Sequence, residues 1–175
     1  MERLRHFRET ITIPPKESRM RETILTHATA LLGAPSYNKK RGGDGACATR
    51  GLSCSGFVHE VLKRSGVGYR DEEGGLMVPR HLEQQRDWSR PVERQHVRPG
   101  DLGFVLENRF GEMHPKHVVI MTDPEKDEFI HSPGSNGCAV EYDHVIYAPY
   151  DPTNHSQTLA FIYARVVDAP WSMSG

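Results

Sequence analysis

The spacing of apolar positions changes half-way along the chain. Met20, Ile24, Leu25, Ala28, Leu31 and Leu32 recur at helical intervals on one face, Ser18 stands where an N-cap is needed, and Gly33 follows the last of them. This pattern predicts a helix over 18–32 that packs on a core. A second helix is predicted from Cys54. Phe57, Val58, Val61 and Leu62 form its inward face, Lys63-Arg64 suit its last turn and Gly66 its end. Pro79 to Trp88 read as a short third helix with Pro79 near its first position. Beyond residue 100 the apolar runs become short and rich in Val, Ile, Phe and Tyr. Leu102 to Leu106, His117 to Met121, Glu128 to His131, Cys138 to Tyr142 and Leu159 to Val167 are predicted strands. Turns are expected from Asp123-Pro124 to Asp127 and from Pro133 to Gly137. Helices first and strands afterwards predict an α+β fold with an antiparallel sheet.

The segments between these elements complete the plan. Residues 1–17 read as an N-terminal arm, with Thr10-Ile11-Thr12-Ile13 extended before Pro14-Pro15. Residues 34–52 lack apolar periodicity and carry Lys39-Lys40-Arg41, Gly42-Gly43, Gly45 and Gly51, so a long loop is expected there. Nothing divides the remainder, and 18–170 is expected to be one domain, in keeping with a chain of 175 residues.

Charge and composition narrow the function. A formal net charge of -1 gives no electrostatic reason to expect a nucleic-acid partner. No apolar run is long enough to span a bilayer. The start of the chain is basic (Arg3, Arg5, Arg8) and lacks the apolar stretch of about 7–15 residues that a secretory signal needs. Cytoplasmic synthesis is therefore expected. Three cysteines, Cys47, Cys54 and Cys138, do not describe a disulfide framework, and their spacing is not that of a zinc site. No metal and no cofactor is expected. Pairing of Cys47 with Cys138 stays open.

The chemistry centres on Ser53-Cys54-Ser55-Gly56-Phe57. A cysteine in the first turn of an amphipathic helix lies among unpaired backbone N–H groups, which favour thiolate, the nucleophilic form. Ser55 and Gly56 are small enough to let a substrate approach the sulfur. A cysteine at such a junction is more often structural than catalytic, but two histidines change that balance. His117 opens one predicted strand and His131 ends the next. In an antiparallel hairpin both lie at the same edge of the sheet. One imidazole can then take the thiol proton while the other holds the first in its working tautomer.

These residues resemble a known family. Ser53-Cys54-Ser55-Gly56-Phe57-Val58 is similar to the D-C-S-G-[FL]-V motif of NlpC/P60 peptidases. Arg98-Pro99-Gly100-Asp101-Leu102-Gly103-Phe104 is similar to its R-P-G-D-L-v-F segment. His117-Val118-Val119-Ile120-Met121 resembles its H-V-[GA]-I-[YV] strand, and Phe129-Ile130-His131-Ser132 its f-I-H-[AS]. Leu32-Gly33, Pro35 and Tyr37 resemble its l-G-x-p-Y stretch, and Gly42-Gly43 its W-G-G without the Trp. The resemblance implies a papain-like core, with the nucleophile helix packed on an antiparallel sheet of five to six strands. It implies Cys54 as nucleophile, His117 as general base and then acid, and His131 as orienting partner. Tyr37 would lie beside the sulfur, and Ser53 and Ser55 would flank bound substrate. The implied reaction is cleavage of amide bonds in peptidoglycan stem peptides, typically between γ-D-glutamate and diaminopimelate. Three departures stand out. Ser53 replaces the usual Asp, residues 38–52 form a longer segment than usual, and residues 107–116 read as a loop inserted before the base.

Other readings compete. A thiol amidase, deamidase or acyltransferase acting on protein or lipid would use the same residues, and a non-catalytic binding module would keep only the fold. His114 with His117 could suggest metal ligands, but Pro115 breaks the helix that would align them, and His114 reads as a loop residue. Trp88 and Trp171 read as packing residues. A wall hydrolase without a signal segment is expected to reach the cell wall or periplasm by another route. If it is a toxin, an inhibitory or immunity protein is expected as partner.

Overall fold

A computed structural model describes residues 15–37, 46–47, 51–135 and 138–166. The Thr10–Ile13 extended piece, the Lys39–Arg41 cations, Gly42-Gly43, the Cys47 side chain and Trp171 lie outside the described residues.

Helix α1 runs Pro15–Thr29. It starts three residues before the predicted Ser18 cap, because Pro15 fits the first turn, where its missing N–H costs nothing. Ile24, Ala28 and Leu31 are buried as expected. Leu32 is 39% exposed, since the helix has already ended in a turn and Leu32 no longer shares its apolar face. Two short strands, β1 (Ala46–Cys47) and β2 (Gly51–Leu52), pair antiparallel within the predicted loop. Helix α2 runs Cys54–Arg64 and buries Phe57, Val58, Val61 and Leu62. A two-residue ladder, β3 (Tyr69–Arg70) with β4 (Leu76–Met77), leads to helix α3, Leu82–Asp87. Pro79 stands ahead of α3 rather than in its first turn, and His81 is the residue at its start. Trp88 packs edge-on against Tyr69, with ring centroids 3.9 Å apart.

The sheet has six strands, all paired antiparallel, in the order β5 (Ser89–Val92), β10 (Leu159–Val166), β6 (Leu102–Arg109), β7 (Glu112–Asp123), β8 (Glu128–His131), β9 (Glu141–His144). Its alternation yields two apolar faces. One, with Leu102, Phe104, Val118, Ile120 and Ile130, packs on α1 and α2. The other gathers Val105, Val119, Met121, Phe129, Phe161 and Tyr163. The expected α+β architecture stands, with helices against one side of the sheet.

Three expectations are corrected here. Residues 107–116 are not an inserted loop: β6 and β7 extend beyond the core as a ladder that turns at Phe110-Gly111. A register shift between Val105 and Leu106 accommodates Pro115, which lacks a donor. His114 is accordingly a strand residue. The strand expected from Cys138 to Tyr142 runs Glu141–His144 instead, because Ala139 bridges to Pro35 and belongs to another pairing. The Asp123–Asp127 turn is present as one 3-10 turn, closed by Asp127 at φ 56.

A buried ionic cluster locks α1 to the sheet. Asp101 is 1% exposed. It accepts from Arg21 at 2.9 Å, from Arg165 of β10 at 3.0 Å through each oxygen, and from the backbone N–H of Arg98 at 2.9 Å. Glu17 joins the same arginines, and the Arg21 hydrogen bond holds its carboxyl below the usual range.

Candidate active site

Cys54 is the first residue of α2. Ser53 caps that helix: its Oγ accepts from the Gly56 N–H at 3.0 Å, the task an Asp would perform there. From below, Gln85 of α3 donates to the Ser55 carbonyl at 2.9 Å and the Pro79 carbonyl at 3.2 Å, and Gln85 itself is 1% exposed. Arg80 donates to the Ser55 Oγ at 3.3 Å. The first turn of α2 is therefore fixed from two sides.

The strand entering α2 is fixed as closely. Leu52 donates to the Pro35 carbonyl at 2.9 Å, and Tyr37 donates to the Leu52 carbonyl at 2.7 Å. Gly51 permits this approach. Its φ is +129, and a Cβ there would lie 2.7 Å from the Ser36 carbonyl oxygen and 2.9 Å from the Tyr37 Cα. Ser132, following His131, donates to the Leu52 carbonyl at 2.5 Å. Its single proton is then committed, so Ser36 is the donor in the 3.0 Å contact between their hydroxyls. Segments around residues 36, 52 and 132 thus meet at one buried point beside Cys54. The backbone of Tyr37, expected near the sulfur, is thus anchored to Leu52, two residues before Cys54.

Across from Cys54 lies the start of the buried part of β7. The backbone N–H groups of Val118, Ser55 and Cys54 act to lower the thiol pKa, in that order. Burial nevertheless dominates and pushes the thiol up from its ordinary value, with Arg80 opposing weakly. The helix start alone was expected to favour thiolate, but desolvation outweighs it in the unliganded protein. His117, next to Val118, directs its Nε2 to the His131 Nδ1 at 2.7 Å, with the two rings perpendicular. Burial first, then His131, hold the His117 imidazole down at about 4. The resting pair is therefore a neutral thiol and a neutral imidazole, and His117 Nδ1 is the nitrogen not engaged by His131.

His131 is 8% exposed, and Phe129 stacks edge-on against it. Burial lowers its pKa, while Asp143 and Glu141 pull it upward. Its Nε2 is buried and faces those carboxylates, at 3.8 Å from Glu141 Oε1 and 3.9 Å from Asp143 Oδ2. Sequence reading missed both acids, as well as Gln85 and the Ser36–Ser132 pair. The alternation Glu141-Tyr142-Asp143 was the available signal, since it puts both carboxylates on one face of a strand.

The pattern of the NlpC/P60 family matches residues 41–154, which include Cys54, His117 and His131. The chain belongs to the NlpC/P60 family. This NlpC/P60 chain is 28% identical over 96 residues to murein DD-endopeptidase MepS/murein LD-carboxypeptidase of Escherichia coli strain K12, across 55% of this chain and 44% of that protein. It thus spans less than half the length of the curated relative it matches. Among solved structures it is similar to the peptidoglycan hydrolase RipB of Mycobacterium tuberculosis, with a TM-score of 0.58 and 20% identity over 90% of this chain and 70% of that one. RipD of the same organism, a non-catalytic NlpC/P60 protein adapted to peptidoglycan binding, gives 0.55 and 19% over 85% and 98%. A lipoprotein-like NLP/P60 protein of Staphylococcus aureus gives 0.59 and 18% over 90% and 43%. These structural likenesses establish the fold, including its NlpC/P60 type.

Proposed function

We propose that this NlpC/P60 domain is a cysteine hydrolase of peptidoglycan stem peptides, with Cys54 as nucleophile, His117 as general base and then acid, and His131 as orienting partner. The observation that carries the reading is the 2.7 Å His117–His131 contact, next to Val118, whose backbone N–H bears electrostatically on the helix-start Cys54. A non-catalytic domain has no need for a buried imidazole pair at that place, and the family's hydrolases MepS and RipB support the same substrate class.

The steps follow from the two neutral groups. As sulfur attacks the amide carbon, the thiol proton passes to His117 Nδ1. The imidazolium formed donates through Nε2–H to His131 Nδ1. His131 then carries its own hydrogen on Nε2, towards Glu141 and Asp143, whose charge favours that tautomer. The Cys54 backbone N–H receives the developing oxyanion, with Tyr37 alongside. Nδ1–H of His117 protonates the leaving amine, and water then hydrolyses the thioester with His117 again as base. Ser53 and Ser55 line the approach while holding the helix start. The bond proposed is γ-D-glutamyl to diaminopimelate, reached at the cell wall or periplasm; an immunity protein would accompany a toxin.

Digestion of purified muropeptides followed by mass spectrometry of the fragments tests this. Paired fragments ending at one amide bond are expected from wild type and absent with Cys54→Ala. Intact muropeptides with both proteins would overturn the reading in favour of a thiol amidase, deamidase or acyltransferase on protein or lipid, or of a binding module.

A further inference from the structure

One buried nitrogen of the imidazole pair has no hydrogen-bond partner among the described residues. His131 Nε2 is enclosed, its side chain is nine-tenths buried, and it points at two exposed carboxylates. Glu141 lies directly across the β8–β9 ladder from His131, and Asp143 two residues on shares its face. The three ligand-capable atoms all lie within 4.8 Å of one another. From this geometry we propose that His131, Glu141 and Asp143 bind a divalent transition-metal ion of the Zn²⁺ type, and that its binding switches the site off.

The donor set fits that class of ion. One imidazole nitrogen with two carboxylate oxygens suits Zn²⁺ and its neighbours, whereas Ca²⁺ and Mg²⁺ favour oxygen alone. Two ligands about 2.1 Å from a tetrahedral zinc lie roughly 3.4 Å apart. The observed separations from Nε2 are 3.8 and 3.9 Å. Closing them needs about half an ångström from side chains that are exposed and on an edge strand whose residues are all exposed. Water completes the coordination on the open side.

The switch follows from hydrogen positions and rests on the hydrolase reading above. With no ion, the hydrogen of His131 sits on Nε2, and Nδ1 accepts from His117 Nε2–H. His117 Nδ1 is then bare and able to take the thiol proton. An ion on His131 Nε2 displaces that hydrogen to Nδ1, which now donates to His117 Nε2. The hydrogen of His117 moves in turn from Nε2 to Nδ1, the nitrogen that the hydrolase reading assigns to the thiol proton. No proton is lost and the 2.7 Å contact remains, but its direction is reversed. His117 can no longer act as base.

Zn²⁺ titration of the Cys54→Ala protein by calorimetry tests the site without the thiol as a competing ligand and without any need for activity. One ion per chain is expected, with affinity reduced at least about tenfold in Cys54→Ala/Glu141→Gln/Asp143→Asn. Nitrogen-resolved NMR of the histidines should show His131 Nε2 as the perturbed atom. Equal affinity in the two proteins, or a shift confined to other histidines such as His114 beside Glu112, would overturn the site. Muropeptide cleavage tests the switch. Zn²⁺ should inhibit wild type, a chelator should restore it, and Glu141→Gln/Asp143→Asn should need at least about tenfold more Zn²⁺ for the same fractional inhibition. Binding at His131 with unchanged cleavage would overturn the switch, and a wild type inactive on muropeptides would fail the hydrolase reading while leaving the calorimetry to decide the site.

Discussion

Acid should weaken the fold through His117 by an amount that can be worked out. Burial and His131 hold its imidazole at about 4, against an ordinary value of 6.5. Between those pH values the unfolded chain takes up a proton that the folded protein refuses. Stability is therefore complete above about pH 6.5, falls as pH drops towards 4, and levels off below that. At about 1.36 kcal/mol per pH unit, the whole interval is worth about 3 kcal/mol. The group is mostly enclosed, so solvent screening removes little of this. Asn in its place has no proton to gain. Carboxylates and histidines away from this pair titrate in both proteins and cancel in the difference. Urea unfolding of wild type and His117→Asn, followed from about pH 7 to about pH 4.5, measures that difference. The stability of wild type relative to the variant should shrink by about 2.5 kcal/mol over that span. Parallel pH dependences would refute the claim that this imidazole is kept neutral by its surroundings.

Other outcomes follow from single residues. Cys54→Ala should lower turnover by roughly 10³-fold or more with an unchanged melting temperature; near-native cleavage would rule out the thiol mechanism. His131→Asn should retain more activity than His131→Ala, because an amide still accepts from His117 Nε2–H, and His117→Asn should be worse than either; equal losses at both positions would leave base and orienter indistinguishable. Asp101→Ala strands Arg21 and Arg165 and should cost about 3–5 kcal/mol in urea unfolding. A cost under about 1 kcal/mol would mean that the cluster is screened like a surface pair. Gly103→Ala drives a methyl into the buried Phe161 ring and towards Val119 Cγ2 at 2.9 Å, and should destabilise by about 1–3 kcal/mol, read as a lower melting temperature.

Where packing dictates sequence, the fold was legible. Phe57, Val58, Val61 and Leu62 announce α2 because the sheet requires an apolar face there, and Glu128–His131 reads as a strand because Phe129 and Ile130 point into opposite cores. Cys54 and His131 stand out because each sits at an element's end, and His117 because the buried apolar run of β7 begins beside it. The ladder beyond Leu106 was missed because it projects past the core. Only Met113 and Pro115 turn inward there, and Asn108, Arg109, Glu112 and Lys116 carry no alternation. Strand β5 was missed because Pro91 is tolerated at the sheet edge. The carboxylates behind His131 were invisible for a different reason. Their significance is a relation across the β8–β9 ladder, and Asp143 falls beyond the strand that the apolar pattern outlined.

The strand order has a consequence for synthesis. β10 lies between β5 and β6, yet it is the last of the described strands to leave the ribosome. Strands β6 to β9 pair with immediate neighbours and can form as they emerge. Cys54, His117 and His131 are all present in a chain that ends before Leu159. Such a chain still leaves the outer edge of β6 bare, strands β5 without a neighbour and denies Asp101 its Arg165 partner. The parts of the thiol–imidazole centre are therefore made long before the frame that holds them in register. Synthesis of Leu159–Val166 closes the middle of the sheet and the ionic clamp on α1 in one step.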